Sequence, residues 1–404
     1  MGSFMKISLS LAFAAFAFSI DSAAKGNVAV GQQLPYVGAV KSLPSVPTRD
    51  RIEGQRNALT LSWVGRYSES EIAYSTVMST NKISHSLVSD AQLEKLSAVD
   101  GVASVVEEAS KRRLVIVNET HNNSLHRAFV QKLLPQLYRL GYRYFAGETF
   151  SRDIHTEVTD KGVPFSAGPY VADPIYAELV REAKATGWTL IPYEASVDDV
   201  TDRAARVAAR ERRQAENLAR VFSADPAAKV VVLAGLSHAH RISTQTSTGQ
   251  FKSMASHLAD MSRLDPLVVD QVVLSGLAED PNGLRAKLLK RFPQMVDSPF
   301  TFISEKGEYF TVGVFPKSVD IMVVHPVYPV KDGRPSWLTS LAGRQPLAPP
   351  GVGKPIPSDR LFLAKRPGVK TEIVPVDAIL VRAGELVPAL MVPEGKFEIE
   401  ALEF

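Results

Sequence analysis

The chain has 404 residues, 45% hydrophobic and 22% charged, an ordinary globular composition with length for one large domain or two modest ones. A net charge of +3, with acidic and basic residues interspersed, gives no support for nucleic acid or an anionic membrane as partner. With no cysteine, disulfides, thiolate chemistry and a lipoprotein attachment site are excluded, and any metal must be held by His, Asp, Glu or Asn.

In chain order, Lys6, an apolar run from Ile7 to Ile20 and the small residues Ser22-Ala23-Ala24 predict a secretory signal peptide over residues 1–24. The run is shorter than the roughly 18–20 residues a membrane span needs, so no span is expected after cleavage. The expected location is the periplasm or the medium. Residues 25–110 predict a lead-in and helical N-terminal segment. Its first part, 25–60, is rich in Gly, Pro, Ser and Val and reads as irregular. Asp90 is the expected N-cap of a helix over 91–99. Val105, Val106 and Ala109 at helical spacing predict another over 102–112.

An alternation then begins. The run Leu114-Val115-Ile116-Val117 predicts a buried strand over 114–118, ending in Asn118-Glu119-Thr120-His121. Leu125, Phe129, Leu133, Leu137 and Leu140 share one face of a helix over 124–140, closed by Gly141. Strands are expected over 142–147, ending in Glu148; over 188–192, ending in Tyr193-Glu194; over 229–234, ending in Gly235-Leu236-Ser237-His238; and over 267–274. Helices are expected over 174–186, 202–222 and 251–261. Farther on, 300–303 and 309–315 predict a hairpin, 319–325 a strand and 330–358 a long Pro- and Gly-rich loop. Alternating runs at 372–376, 378–382 and 398–402 predict further strands.

The expected fold class is α/β: a mainly parallel sheet flanked by helices, with a core over 111–330. A Pro/Gly-rich loop and small β-rich appendage occupy 331–404. Right-handed crossovers put the strand exits on one edge, where chemistry gathers in such sheets. Four exits carry an acid or a histidine: Glu119 with His121, Glu148, Glu194 and His238. Glu119 and His121 have one residue between them, so an extended segment points both to the same face. A carboxylate near His121 fixes one imidazole tautomer or serves as a hard metal ligand. His238 and His240 have a spacing that resembles a metal-ligand pair. Arg210, Gln214 and Asn217 share a helix face, from which Arg and Asn could polarise a carbonyl or hold a carboxylate. Each of these residues also reads as an ordinary turn, cap or solvated-face residue. No G-x-S-x-G, H-E-x-x-H, P-loop or G-x-G-x-x-G pattern is present.

Val117-Asn118-Glu119-Thr120-His121, Arg127, Gly147-Glu148, Arg210-Glu211-x-x-Gln214-Ala215-x-Asn217 and Gly235-Leu236-Ser237-His238 together resemble the erythromycin esterase-like, ChaN-like and TIKI superfamily. Asn118 stands where that family has glycine, and Gln214 where it has methionine. The resemblance implies an α/β core and a secreted hydrolase of an ester or amide bond, acting on a small molecule or peptide. His121 would activate water, unaided or through a divalent metal held by His121, Glu148 and His238. Glu119 and Glu148 would orient or ligate, and Arg210 and Asn217 would stabilise the oxyanion. The alternative it implies is a periplasmic haem- or small-ligand-binding protein without turnover, with His121, His126 or a tyrosine near the cleft toward the iron.

Overall fold

The structure is a computed structural model that describes residues 35–44, 48–77, 88–246, 249–275, 283–295, 298–312 and 317–403. The expected signal peptide lies outside them. The expected irregular lead-in instead holds helices α1 (Pro35–Lys41) and α2 (Arg51–Trp63), followed by α3 (Tyr67–Val77). Asp50 caps α2 by accepting the Glu53 N–H at 2.8 Å. The buried residues of α2 include Gln55, Asn57, Thr60 and Ser62, so no apolar stripe marks it as a helix. Asp90 is not an N-cap. Ser89 is, in a capping box with Gln92, and the short helix α4 (Asp90–Leu93) stops there. The rest of that expected helix is strand β1 (Leu96–Asp100), whose Asp100 in turn caps α5 (Gly101–Ser110).

The alternating region folds as its pattern predicts. In order come β2 (Leu114–Glu119), α6 (Ser124–Arg139), β3 (Tyr144–Gly147), α7 (Ile154–Glu157), α8 (Pro174–Thr186), β4 (Thr189–Pro192), α9 (Arg203–Ala224) and β5 (Val230–Gly235). Asn123, Asp173 and Asp202 cap α6, α8 and α9, and Gly187 ends α8 in the left-handed conformation. A short hairpin, β6 (Ser243–Thr246) and β7 (Gly249–Lys252), takes Phe251 out of the expected helix. That helix is α10 (Met254–Ser262), followed by β8 (Leu267–Asp270). Helix α11 (Leu284–Arg291), β9 (Phe300–Ser304) and β10 (Ile321–Met322) follow.

Strands β10-β8-β2-β5-β3-β4 make one six-stranded sheet, and every pairing in it is parallel. All six residues of β2 and of β5 are buried, because helices cover both faces. Val115 and Val117 pack with Phe129, Leu133 and Leu179 on one side. Leu114 and Ile116 pack with Ala215, Leu218 and Leu258 on the other. The expected 300–303/309–315 hairpin is reduced to one bridge, Ile303 to Tyr309, and residues 313–316 lie outside the described chain. Strand β9 pairs instead with β1, antiparallel.

Past β10, the expected loop is broken by β11 (Val330–Lys331), β12 (Arg334–Pro335), α12 (Trp337–Ser340) and β13 (Gln345–Leu347). Small antiparallel sheets follow, from β14 (Arg360–Lys365), β15 (Asp377–Val381), β16 (Leu390–Val392) and β17 (Glu398–Glu403). The run at 372–376 forms no strand, only a bridge from Ile373 to Pro164. Arg344 fastens this region to the core, donating to Val376 O, Met391 O and Pro174 O.

Candidate active site

The exit of β2 is built around a buried ion pair. Glu119 closes the strand on the α6 face, and α6 returns Arg127 one turn from its start. Arg127 grips Glu119 with two bonds, Nε to Oε2 and Nη2 to Oε1, both 2.9 Å. The same Nη2 donates to His121 O at 2.8 Å, and Nη1 reaches Asp173 Oδ2 at 3.0 Å. Its guanidinium lies over the Tyr176 ring. Arg127 therefore fixes both the carboxylate and the backbone of the residue that the carboxylate serves. His121 Nδ1 lies 2.9 Å from Glu119 Oε1. An ionised carboxylate can only accept there, so Nδ1 carries the hydrogen and Nε2 keeps its lone pair. The imidazole stacks on Tyr170, with centroids 3.9 Å apart and planes at 17°.

Across β5, the exit of β3 supplies Glu148. Its Oε2 accepts the Gly235 N–H at 2.6 Å and stands 3.8 Å from His121 Nε2. A Cβ at Gly235 would lie 2.6 Å from that nitrogen, so only glycine lets the ring settle here. Arg210, from α9, joins the remaining groups. It donates to Glu148 Oε1 at 2.7 Å, to Glu194 Oε1 at 3.0 Å and Oε2 at 2.6 Å, and meets His238 Nε2 at 3.0 Å. His238 Nδ1 lies 2.5 Å from Glu211 Oε1, and Glu211 also accepts the Met254 N–H. The His121 side chain keeps 21% of its surface, against 3% for Glu119, so the imidazole is partly exposed while the carboxylate that holds it is not.

Charge follows from these contacts. Burial pushes the Glu119 carboxyl up, but Arg127 and His121 outweigh it and hold it down at about 2. For Glu148 burial is likewise outweighed, by His121, Arg210 and His238, and its carboxyl stays well below the usual range. Burial lowers His238, yet Glu211 outweighs it and raises the ring above its ordinary value. The cluster thus holds two ionised carboxylates around one partly exposed imidazole.

The donor set does not fit a divalent metal at His121, Glu148 and His238. The Arg210 guanidinium already sits between Glu148 and His238, where a shared cation would stand. Among the described residues no three His, Asp or Glu side chains converge in a metal-holding arrangement. Iron ligation by His126 fails on its tautomer. Its Nδ1 accepts the Thr120 N–H at 3.1 Å, so Nε2 carries the hydrogen, and the ring is fully buried.

Glu119, His121, Glu148, Arg210 and His238 come together, and Glu194 joins them through Arg210. Asn217 does not. Its amide donates to Tyr193 O at 3.1 Å and Glu194 O at 3.3 Å, bracing the β4 exit. His240 turns to another partner, Asp270, at 2.6 Å. Asp173, Tyr170 and Glu211 also belong to the site, beyond the residues its sequence predicts. Glu211 had a signal, since it follows Arg210 and falls on the buried side of α9. Asp173 and Tyr170 belong to the irregular segment before α8 and had none.

No family model matches the chain, and no curated protein matches it. Solved structures it is similar to include RRSP, a MARTX toxin effector domain from Vibrio vulnificus CMCP6, at 15% identity and TM-score 0.30. That match covers 68% of this chain and 50% of the other, so this chain spans half of that one's length. The type III effector HopBA1 matches at 17% identity and TM-score 0.30, over 43% of this chain and 84% of that one. The Pasteurella multocida toxin C-terminal region, described as having a thiol-protease-like catalytic triad, matches at 13% identity and TM-score 0.33. It covers 76% of this chain and 35% of that chain. At these scores the likeness carries no functional argument, and this chain has no cysteine. Among the described residues no helix is long and apolar enough to cross a membrane.

Proposed function

We propose that the protein hydrolyses an ester or amide bond, with His121 as general base and without a metal. The observation that carries this reading is the chain Arg127–Glu119–His121, which ends at a lone pair on a partly exposed imidazole. Water gives a proton to His121 Nε2 as its oxygen attacks the carbonyl carbon. The tetrahedral intermediate then collapses, and the same proton passes from Nε2 to the leaving oxygen or nitrogen. Glu119 and Glu148, ionised on either side of the ring, stabilise the imidazolium in between. Arg210 forms the cationic side of the cluster and stabilises the negative charge that develops on the carbonyl oxygen.

This reading keeps the resemblance to the erythromycin esterase-like, ChaN-like and TIKI superfamily as a proposal of kinship, on the motif order alone. It takes a small-molecule or peptide substrate and places the protein in the periplasm or medium, where the N-terminal sequence would send it. It departs from the sequence expectation in two roles. Asn217 is a brace and not an oxyanion donor, and Arg210 first of all holds Glu148 and His238 in place.

The test is a screen of ester and peptide substrates with purified full chain, His121→Ala as control, in buffer with and without EDTA. Turnover that EDTA leaves intact and that falls at least about 10³-fold in the variant is expected. Equal rates for wild type and variant would sink the reading.

A further inference from the structure

Beneath the catalytic turn lie two imidazoles that the reaction does not use. His126, in the first turn of α6, is 0% exposed, and His325, just past β10, is 1% exposed. Their ring centroids are 5.7 Å apart. Each has one nitrogen engaged, and the engaged nitrogen settles the tautomer. The backbone N–H of Thr120, between Glu119 and His121, donates to His126 Nδ1 at 3.1 Å, so His126 carries its hydrogen on Nε2. His325 Nε2 lies 3.0 Å from Gln271 Oε1. The Gln271 amide nitrogen is already the donor to Asn118 O at 2.9 Å and His126 O at 3.1 Å, so its oxygen must accept. His325 therefore carries its hydrogen on Nε2 and a lone pair on Nδ1.

The remaining nitrogens, His126 Nε2 and His325 Nδ1, are both buried, and among the described residues neither finds a hydrogen-bond partner. One is a donor and the other an acceptor. Buried polar groups are almost always paired, with protein or with ordered water. The two rings are neighbours, and the pair offers one water an acceptor and a donor.

We propose that a single buried water joins His126 Nε2–H to His325 Nδ1, and that this neutral pair is a positioning device for the catalytic turn. It runs from Thr120 through His126, the water, His325 and Gln271 back to Asn118, closing a loop around the end of β2. His126 and His325 are positioning residues and touch no substrate. A proton on His126 would set Nδ1–H against Thr120 N–H, donor to donor, and release the turn that carries His121.

The groups facing the two rings are few. Glu119, Asp270 and Arg127 face His126, and His126 and Arg285 face His325. Burial dominates for both rings. It lowers His126 to about 4 and His325 well below its ordinary value, so the pair is neutral at pH 7.

The functional consequence rests on His121 being the base, but the test does not. Amide exchange at Thr120 in the full chain is followed by NMR from pH 7 to 4, as a protection factor, with Val232 in β5 as control. Wild type is expected to lose more than tenfold in protection at Thr120 while Val232 holds. In His126→Asn, Oδ1 replaces Nδ1 with no proton to gain, and Thr120 protection should be flat. His325→Leu removes the acceptor, together with the donor to Gln271, and should speed Thr120 exchange at least fivefold at pH 7. A flat wild-type profile, a variant profile as steep as wild type, or unchanged exchange in His325→Leu overturns the proposal. Ring nitrogen shifts of the wild type, which need no variant, must show both residues as Nε2–H at pH 7. An Nδ1–H form of either overturns it as well.

Discussion

Two regions of the molecule bury an arginine–carboxylate pair, and only one of them is a candidate site. At the β2 exit, Arg127 holds Glu119 and Asp173 with none of its own surface exposed. In the C-terminal β region, Arg334 holds Asp377 with both side chains at 4% exposure or less, and Asp377 also accepts the Met391 N–H. Burial and charge are the same in kind. The difference is what the carboxylate serves next. Asp377 ends in backbone between antiparallel strands. Glu119 ends in a partly exposed imidazole at the edge of a parallel sheet. A buried ion pair is thus a fastening, and becomes part of a site only when a titratable, accessible group completes it.

The comparison is sharpest where a substitution hits one region and spares the other. His121→Ala carries the largest expected effect, a loss of about 10³-fold or more in kcat/KM with the unfolding midpoint nearly unchanged. Next come Arg127→Met and Arg334→Met, measured side by side by denaturant unfolding and by turnover. Each leaves a buried carboxylate unpaired, at a cost of about 3–5 kcal/mol. Arg127→Met is expected to abolish turnover at temperatures where the chain is still folded, while Arg334→Met keeps it. A folded Arg334→Met protein with no activity would erase the distinction drawn between the two regions.

Glu119→Gln separates the carboxylate's charge from its shape. With its carboxyl held at about 2 against an ordinary 4.5, Glu119 contributes roughly 3 kcal/mol of stability. The folded value is the lower one, so this contribution is complete above pH 4.5 and is lost as pH falls from there toward 2. Stability against pH is expected to fall through that window in wild type and to lack that component in Glu119→Gln. Parallel curves would mean that Arg127 does not hold the carboxyl down.

What was legible in the sequence had a local cause. Helix α8 shows its Asp-Pro start and its Gly187 stop, and β2 shows its apolar run, because caps and buried strands are written in neighbouring residues. Strand β1 was not legible. Leu96–Asp100 is a strand because Phe300–Ser304 pairs with it, some two hundred residues on. The site divides in the same way. Glu119, His121, Glu148 and His238 stood out because each ends or closely follows a strand. Asp173 and Tyr170 enter from the segment before α8, and their approach to Arg127 and His121 is set by packing that no spacing encodes.

Asn217 is the smallest of the expected effects and the one that best separates a helix-face pattern from a role. It shares a face with Arg210 and Gln214, and that spacing together with the family resemblance makes an oxyanion donor the expectation for it. In the fold its amide hydrogens go to Tyr193 O and Glu194 O, and of these three side chains it is Arg210 and Gln214 that reach the Glu194 carboxylate. Removing an oxyanion donor costs on the order of 10²–10³ in kcat. Removing a brace to two backbone carbonyls costs about 1–2 kcal/mol of stability and lets the Glu194 segment shift. Asn217→Ala is therefore expected to lower the unfolding free energy by that amount while kcat falls less than about tenfold. A hundredfold drop in kcat with unchanged stability would return Asn217 to the reacting centre and move the oxyanion away from Arg210.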